Sequence, residues 1–146
     1  MLKVLAALLS LLPAIALAQE KVSIGIVTSL SGPMAAPGKF QMNGFRLAEE
    51  EINSAGGFAL GGRRVLVDLK TYDTRANPAE GASAMQRLAT VDRAPVVLGE
   101  LHSGVAAAEA PIAQDYGVPL VLTIPTGPGL TEQGNPFLFR VNANND

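Results

Sequence analysis

The chain has 146 residues, 48% hydrophobic, 16% charged and 5% aromatic, with a formal net charge of −2. Such a length and apolar content suit one folded domain with a real core and exclude disorder. The near-neutral charge and missing tryptophan argue against a nucleic-acid surface, while zero cysteines and a single histidine, His102, exclude disulfides, thiol chemistry and histidine-rich metal sites.

Residues 1–18 read as a cleavable export signal. Lys3 supplies the positive start, Val4 to Leu12 the apolar run, Pro13 the break, and Ala16-Leu17-Ala18 the small-x-small cleavage pattern. The apolar stretch is short for a membrane span, and no basic stop follows. The mature chain is expected to begin near Gln19 and to be periplasmic or secreted.

Val22 to Thr28 is β-branched and apolar on both faces, as in a central parallel strand. A loop rich in Ser, Gly and Pro follows as far as Lys39. Phe40 to Ala55 reads as a helix burying Phe40, Gly44, Leu47, Ala48 and Ile52, with Glu49, Glu50 and Glu51 as a solvated face. Gly56-Gly57 ends it. Phe58 to Gly62 is a glycine-rich turn. Arg64 to Tyr72 alternates and reads as a strand nearer the sheet edge. Asn77 caps the next helix, with Pro78 at its first position and Glu80 reaching back. That helix runs to about Ala89 and buries Ala82, Met85 and Leu88 or Ala89.

Val96 to Leu98 is a short buried strand. Ser103 caps a helix running through Tyr116, which Pro111 should bend or delay, and Gly117 closes it. Pro119 to Thr123 and Phe137 to Val141 are the fourth and fifth strands. Alternating strands and helices predict an α/β fold with a doubly wound parallel sheet. The chain stops just after the fifth strand with no helix to cover it, so one lobe of a larger protein is expected.

Three motifs invite a function. Gly32 to Lys39 resembles a phosphate loop, but five residues separate Gly32 from Gly38 and Phe40 stands where a magnesium-binding hydroxyl is needed. No GxGxxG follows the first strand, so a dinucleotide site is disfavoured. No cofactor and no metal are expected. His102-Ser103 suggests a hydrolase, yet Leu101 replaces the glycine of a nucleophile elbow, and adjacent side chains diverge. Asp73, after the second strand, can reach the cleft or simply start the Asp73–Asn77 turn, and the turn is the favoured reading.

The third motif is Val96 to Thr126, in which two polar turns follow the carboxyl ends of two strands. Open α/β sheets bind ligands there. A serine hydroxyl beside the free amides of a helix start suits a carboxylate. Thr126 in the next turn can join Ser103 around one anion, and the Ile124 carbonyl can accept from an ammonium. An α-amino acid or small amide fits such a set.

Together, IGIVTSLSGPMA, GFRLAEEEINSAGG, GGRRVLVDLKTYDTRANPAEG, VVLGELHSGVAAAEAPIAQDYGVPLVLTIPTGPGLT and FLFRVNAN resemble the amino-terminal lobe of periplasmic solute-binding proteins of the branched-chain amino-acid type, the binding subunits of ABC importers. The resemblance covers nearly all of residues 19–146 and implies the first lobe of a two-lobe type I periplasmic-binding-protein fold. It implies that Ser103 and Thr126 bind the ligand carboxylate, that the Ile124 carbonyl helps hold the ammonium, and that the loop from Ser31 to Gly38 lines the cleft. Pro37 falls where branched-chain binders often carry an aromatic residue. Ala76 and His102 fall where they can carry a cysteine pair. The acidic residue meeting the ligand ammonium belongs to the second lobe.

The expected function is therefore non-enzymatic binding of a branched-chain amino acid, or a similar amino acid or short amide, for import. The ligand set is Ser103, Thr126, Ile124, His102 and Pro37, and the partner an inner-membrane ABC permease, with no nucleic acid. A receptor's ligand-sensing domain of the same fold and an exported serine hydrolase are the alternatives.

Overall fold

The computed structural model describes residues 19–143. The expected export signal, with its expected cleavage point near Ala18, lies outside the described residues. Six strands form one sheet: β1 (Lys21–Thr28), β2 (Phe58–Leu60), β3 (Arg63–Asp73), β4 (Val97–Gly99), β5 (Leu120–Leu122) and β6 (Leu138–Arg140). Their spatial order is β2-β3-β1-β4-β5-β6. All pairs are parallel except β2 with β3, a hairpin closed by Gly61-Gly62. The expected glycine-rich turn over 58–62 is thus the end strand plus its turn. The helices are α1 (Ala35–Ser54), α2 (Pro78–Thr90) and α3 (Ser103–Tyr116), with a 3-10 turn at Gly32–Met34. Strand order reverses at β1, so the crevice beyond its carboxyl end, between the β1 and β4 connections, is the natural ligand position.

One sheet face carries the main core. Val27, Val97, Leu120 and Leu122 meet Met85 and Leu88 of α2 and Ala106 and Ala113 of α3. Leu88, Leu120 and Leu122 are fully buried, each contributing about 1.5–3 kcal/mol of transfer free energy. The two helices pack closely because Gly81 has no side chain; an added Cβ would fall 2.4 Å from Val105 Cγ1. Asn77 caps α2 as expected, its carboxamide oxygen accepting from the amides of Ala79 and Glu80. Gly117 ends α3 in the left-handed conformation. That helix runs through Pro111 as a single element.

The other face carries α1, and here the structure corrects the sequence reading. The helix begins five residues before the expected Phe40, and the loop after β1 is correspondingly shorter. Gly38 and Met42 are its buried residues, whereas Phe40 and Leu47 are 76% and 58% exposed. The rotation follows from what α1 must satisfy. Beyond Val65, β3 has an open edge on the side away from β1. Asn53 closes it by accepting from Val67 N–H and donating to Val67 C=O, and Glu49 accepts from Leu69 N–H. Glu49 therefore does not share the solvated role expected of the acidic trio. An apolar groove between α1 and the sheet is lined by Ile24, Phe45, Ile52, Val67 and Leu98.

Candidate functional site at the carboxyl ends of the strands

The parallel strands deliver four turns to one end of the sheet: Ser29–Ser31 after β1, Thr74–Asn77 after β3, Glu100–His102 after β4 and Thr123–Gly127 after β5. Each turn is held to its neighbours by side chains.

Glu100 lies beneath the first three turns, fully buried together with Ser29 and Thr74. Its carboxylate accepts from the Thr74 hydroxyl at 3.0 Å, the Ser29 hydroxyl at 3.4 Å and His102 N–H at 3.3 Å. The oxygens Ser29 Oγ and Thr74 Oγ1 stand 3.0 Å apart, and Ser29 Oγ accepts from Ala76 N–H. A buried carboxylate with several donors is the arrangement that repays desolvation. Asp73 ties the same region together, its Oδ1 accepting from the amides of Leu30, Ser31 and Arg75. Burial pushes the Asp73 carboxyl up, but the Ser31 hydroxyl and these amides outweigh it, holding the group below the usual carboxylate range. The turn role expected of Asp73 holds, and it reaches across to the β1 turn as well.

Gln41 of α1 links the strand ends from the opposite face. It accepts from the Thr28 hydroxyl of β1, and its amide donates to Glu100 C=O at 3.2 Å and to Thr123 Oγ1 at 2.6 Å. One side chain thus sets the spacing of the ends of β1, β4 and β5.

Ser103 is the first residue of α3, and His102 occupies the cap position without a capping side-chain bond. Ser103 is therefore not the cap. Its hydroxyl instead accepts from Gly127 N–H at 3.1 Å, joining the β4–α3 turn to the β5 turn. An acceptor lone pair serves Gly127, so this contact leaves the hydroxyl proton as a donor. The two turns touch because residue 127 is glycine; an added Cβ would sit 2.9 Å from both Ser103 Cβ and Oγ.

Thr126, half-buried, immediately precedes Gly127 and so lies in the turn that Ser103 holds. The structure brings Ser103 and the Thr126 segment together through Gly127. The Ile124 carbonyl accepts from the Asn142 carboxamide at 2.9 Å. Its second lone pair is compatible with another donor. His102 is exposed at the start of α3, and Pro37 is exposed in the first turn of α1, inside a helix rather than in the expected loop. Among the described residues, no cluster of acidic or histidine side chains has metal-site spacing.

The parallel strands thus end in turns that carry hydroxyls and backbone amides, gathered at one end of the sheet. The family model for periplasmic binding proteins matches residues 21–146. The chain belongs to the periplasmic binding protein family. It is similar to the Leu/Ile/Val-binding protein BraC3 of Rhizobium johnstonii, at 34% identity over 89% of this chain and 34% of that one. It also resembles the Salmonella typhimurium leucine-specific-binding protein, at 29% identity over 83% of this chain and 31% of that one. Among solved structures, it matches the branched-chain amino acid transporter substrate-binding protein LivJ of Streptococcus pneumoniae, a complex with isoleucine. That match has a TM-score of 0.78 and 34% identity, over 86% of this chain and 34% of the other. The chain thus spans about a third of the length of these relatives. Its sheet and helices share the mostly parallel α/β architecture of type I periplasmic binding proteins.

Sequence reasoning missed Glu100, Gln41, Gly127 and Arg140. Glu100 and Gln41 are single polar residues in apolar surroundings, a weak signal until burial is known. Gly127 and Arg140 stand in stretches that read simply as a Pro/Gly loop and a strand.

Proposed function

We propose that this chain supplies one wall of the ligand cleft in an extracytoplasmic solute-binding component of an ABC importer. The ligand is a branched-chain amino acid or a close relative bearing a carboxylate and an ammonium. Residues 19–146 form the amino-terminal lobe, and a second lobe closes over the ligand. The observation carrying this reading is the Ser103–Gly127 contact, which sets a hydroxyl donor beside the Thr126 turn at the start of a fourteen-residue helix. The helix dipole and the hydroxyl proton both favour a carboxylate there. The Ile124 carbonyl is the acceptor for the ammonium, and His102 and Pro37 lie at the rim. Isoleucine and leucine relatives support this ligand class.

Binding here involves no chemistry. The partner of the Ser103 hydroxyl is an amide donor, whereas a serine nucleophile needs a base that accepts its proton. Export places the protein in the periplasm, where an inner-membrane permease receives the loaded form.

The test is a titration of the 15N-labelled chain with L-isoleucine, L-leucine, L-valine and a short amide. Shifts confined to the Ser103, Thr126 and Gly127 amides, abolished in Ser103→Ala, support the reading. Equal responses in the Ser103→Ala chain refute the assigned site.

A further inference from the structure

The ligand turn is gripped from behind by a residue of the neighbouring strand. Arg140 closes β6, and its guanidinium donates through Nη1 to Gly127 C=O at 3.1 Å and through Nη2 to Thr131 Oγ1 at 3.0 Å. Gly127 N–H in turn donates to Ser103 Oγ. Residue 127 is therefore held on its amide side by α3 and on its carbonyl side by β6. We infer that Arg140 is a positioning residue for the ligand site: its two-pronged guanidinium sets the Gly127 peptides so that Ser103 and Thr126 face one ligand carboxylate. This rests on the proposed site above and adds a residue that does not itself touch the ligand.

The physical need is clear from the connection it holds. Fifteen residues, 123–137, separate β5 from β6 without a regular element. A long loop of this kind keeps a defined shape only where side chains pin it. Leu130 sinks into the core, and Asn135 donates to Ala110 C=O, but both lie beyond the ligand turn. Within the turn, Gln41 holds Thr123 and Asn142 holds the Ile124 carbonyl, while residue 127 is held by Ser103 and Arg140. The ion pairs among the described residues are Arg63–Glu20 and Lys70–Asp68, so the Arg140 guanidinium is engaged with neutral acceptors. Its planar fork spans a carbonyl and a hydroxyl four residues apart, which a lysine ammonium cannot reproduce as a fixed pair.

The experiment compares the 15N-labelled chain with Arg140→Lys and Arg140→Met variants. It follows amide hydrogen exchange at Gly127 and the response of the spectrum to L-isoleucine. The expected result is faster exchange at Gly127 in both variants, about tenfold weaker isoleucine binding, and unchanged exchange at β1 and β3 amides. A merely structural contribution would speed exchange throughout the sheet, and that outcome overturns the assignment. So does a lysine variant that restores wild-type exchange and affinity, because charge rather than the fork would then suffice. Wild-type exchange at Gly127 in both variants overturns it as well, whatever the ligand response. If the unsubstituted chain ignores isoleucine, the proposed site fails, while locally faster Gly127 exchange in the variants still upholds the clamp.

Discussion

The Ser103 hydroxyl and the Gly127 amide meet at 3.1 Å, and nothing larger than a hydrogen fits on the Gly127 α-carbon facing that oxygen. One bond therefore joins the start of α3 to the turn after β5, two segments that follow the neighbouring strands β4 and β5.

Gly127→Ala puts a methyl carbon 2.9 Å from Ser103 Cβ and Oγ. The turns must part, breaking the bond. The expected cost is about 1–3 kcal/mol of stability, with loss of the isoleucine response at Ser103 and Thr126. Denaturant melts and amide titration read the two effects separately.

Gly38→Ala is expected to be more damaging. The added carbon would fall 1.8 Å from the Ser29 carbonyl oxygen, backbone against helix with no side chain to yield. Helix α1 must lift from the end of β1, costing about 3 kcal/mol or more. A fall in the urea midpoint of that size, together with loosened Gln41 contacts, is the expected readout.

Gln41→Ala removes the side chain that links Thr28, Glu100 and Thr123. Thr123 and the Glu100 carbonyl lose a partner in a part-buried setting, at a cost of roughly 1–3 kcal/mol. Amide shifts should spread over the ends of β1, β4 and β5 while the β2–β3 hairpin stays as it was.

Glu109 is fully buried on α3 and neither carboxyl oxygen has a partner. Burial, and then the charge of Glu100, push its carboxyl well above the usual range. The folded chain thus keeps a proton that the unfolded chain releases above a pH of about 4.3. Stability is full below that point and falls as pH rises towards the folded-state value. Glu109→Gln removes the titration, so its melting temperature should match wild type near pH 4 and exceed it by a few degrees near pH 7. A constant difference across that range would contradict the assignment.

Much of this fold follows from local rules. Asn77-Pro78 starts α2 and Gly117 ends α3, because capping depends on residues within a turn of each other. The parallel strands and their alternation with helices were legible because β-branched runs and helical spacing recur along the chain. The β4 and β5 turns could also be singled out as a candidate ligand position from their place after parallel strands. Helix α1 was harder: its apolar spacing suggested a buried Phe40 and Leu47, whereas Asn53 and Glu49 turn a polar edge inward to complete β3.

By itself, the sequence determined the class of fold, the alternation of five of its six strands with three helices, and the two turns that bear Ser103 and Thr126. The tertiary structure alone decided the strand order, the rotation of α1 and the partners of those turns. The division has a physical cause. A helix cap or an alternating strand is settled by neighbours in the chain. Gly127 between Ser103 and Arg140, or Gln41 across three strand ends, is a meeting of residues 13 to 82 positions apart, and only the packed sheet brings them together.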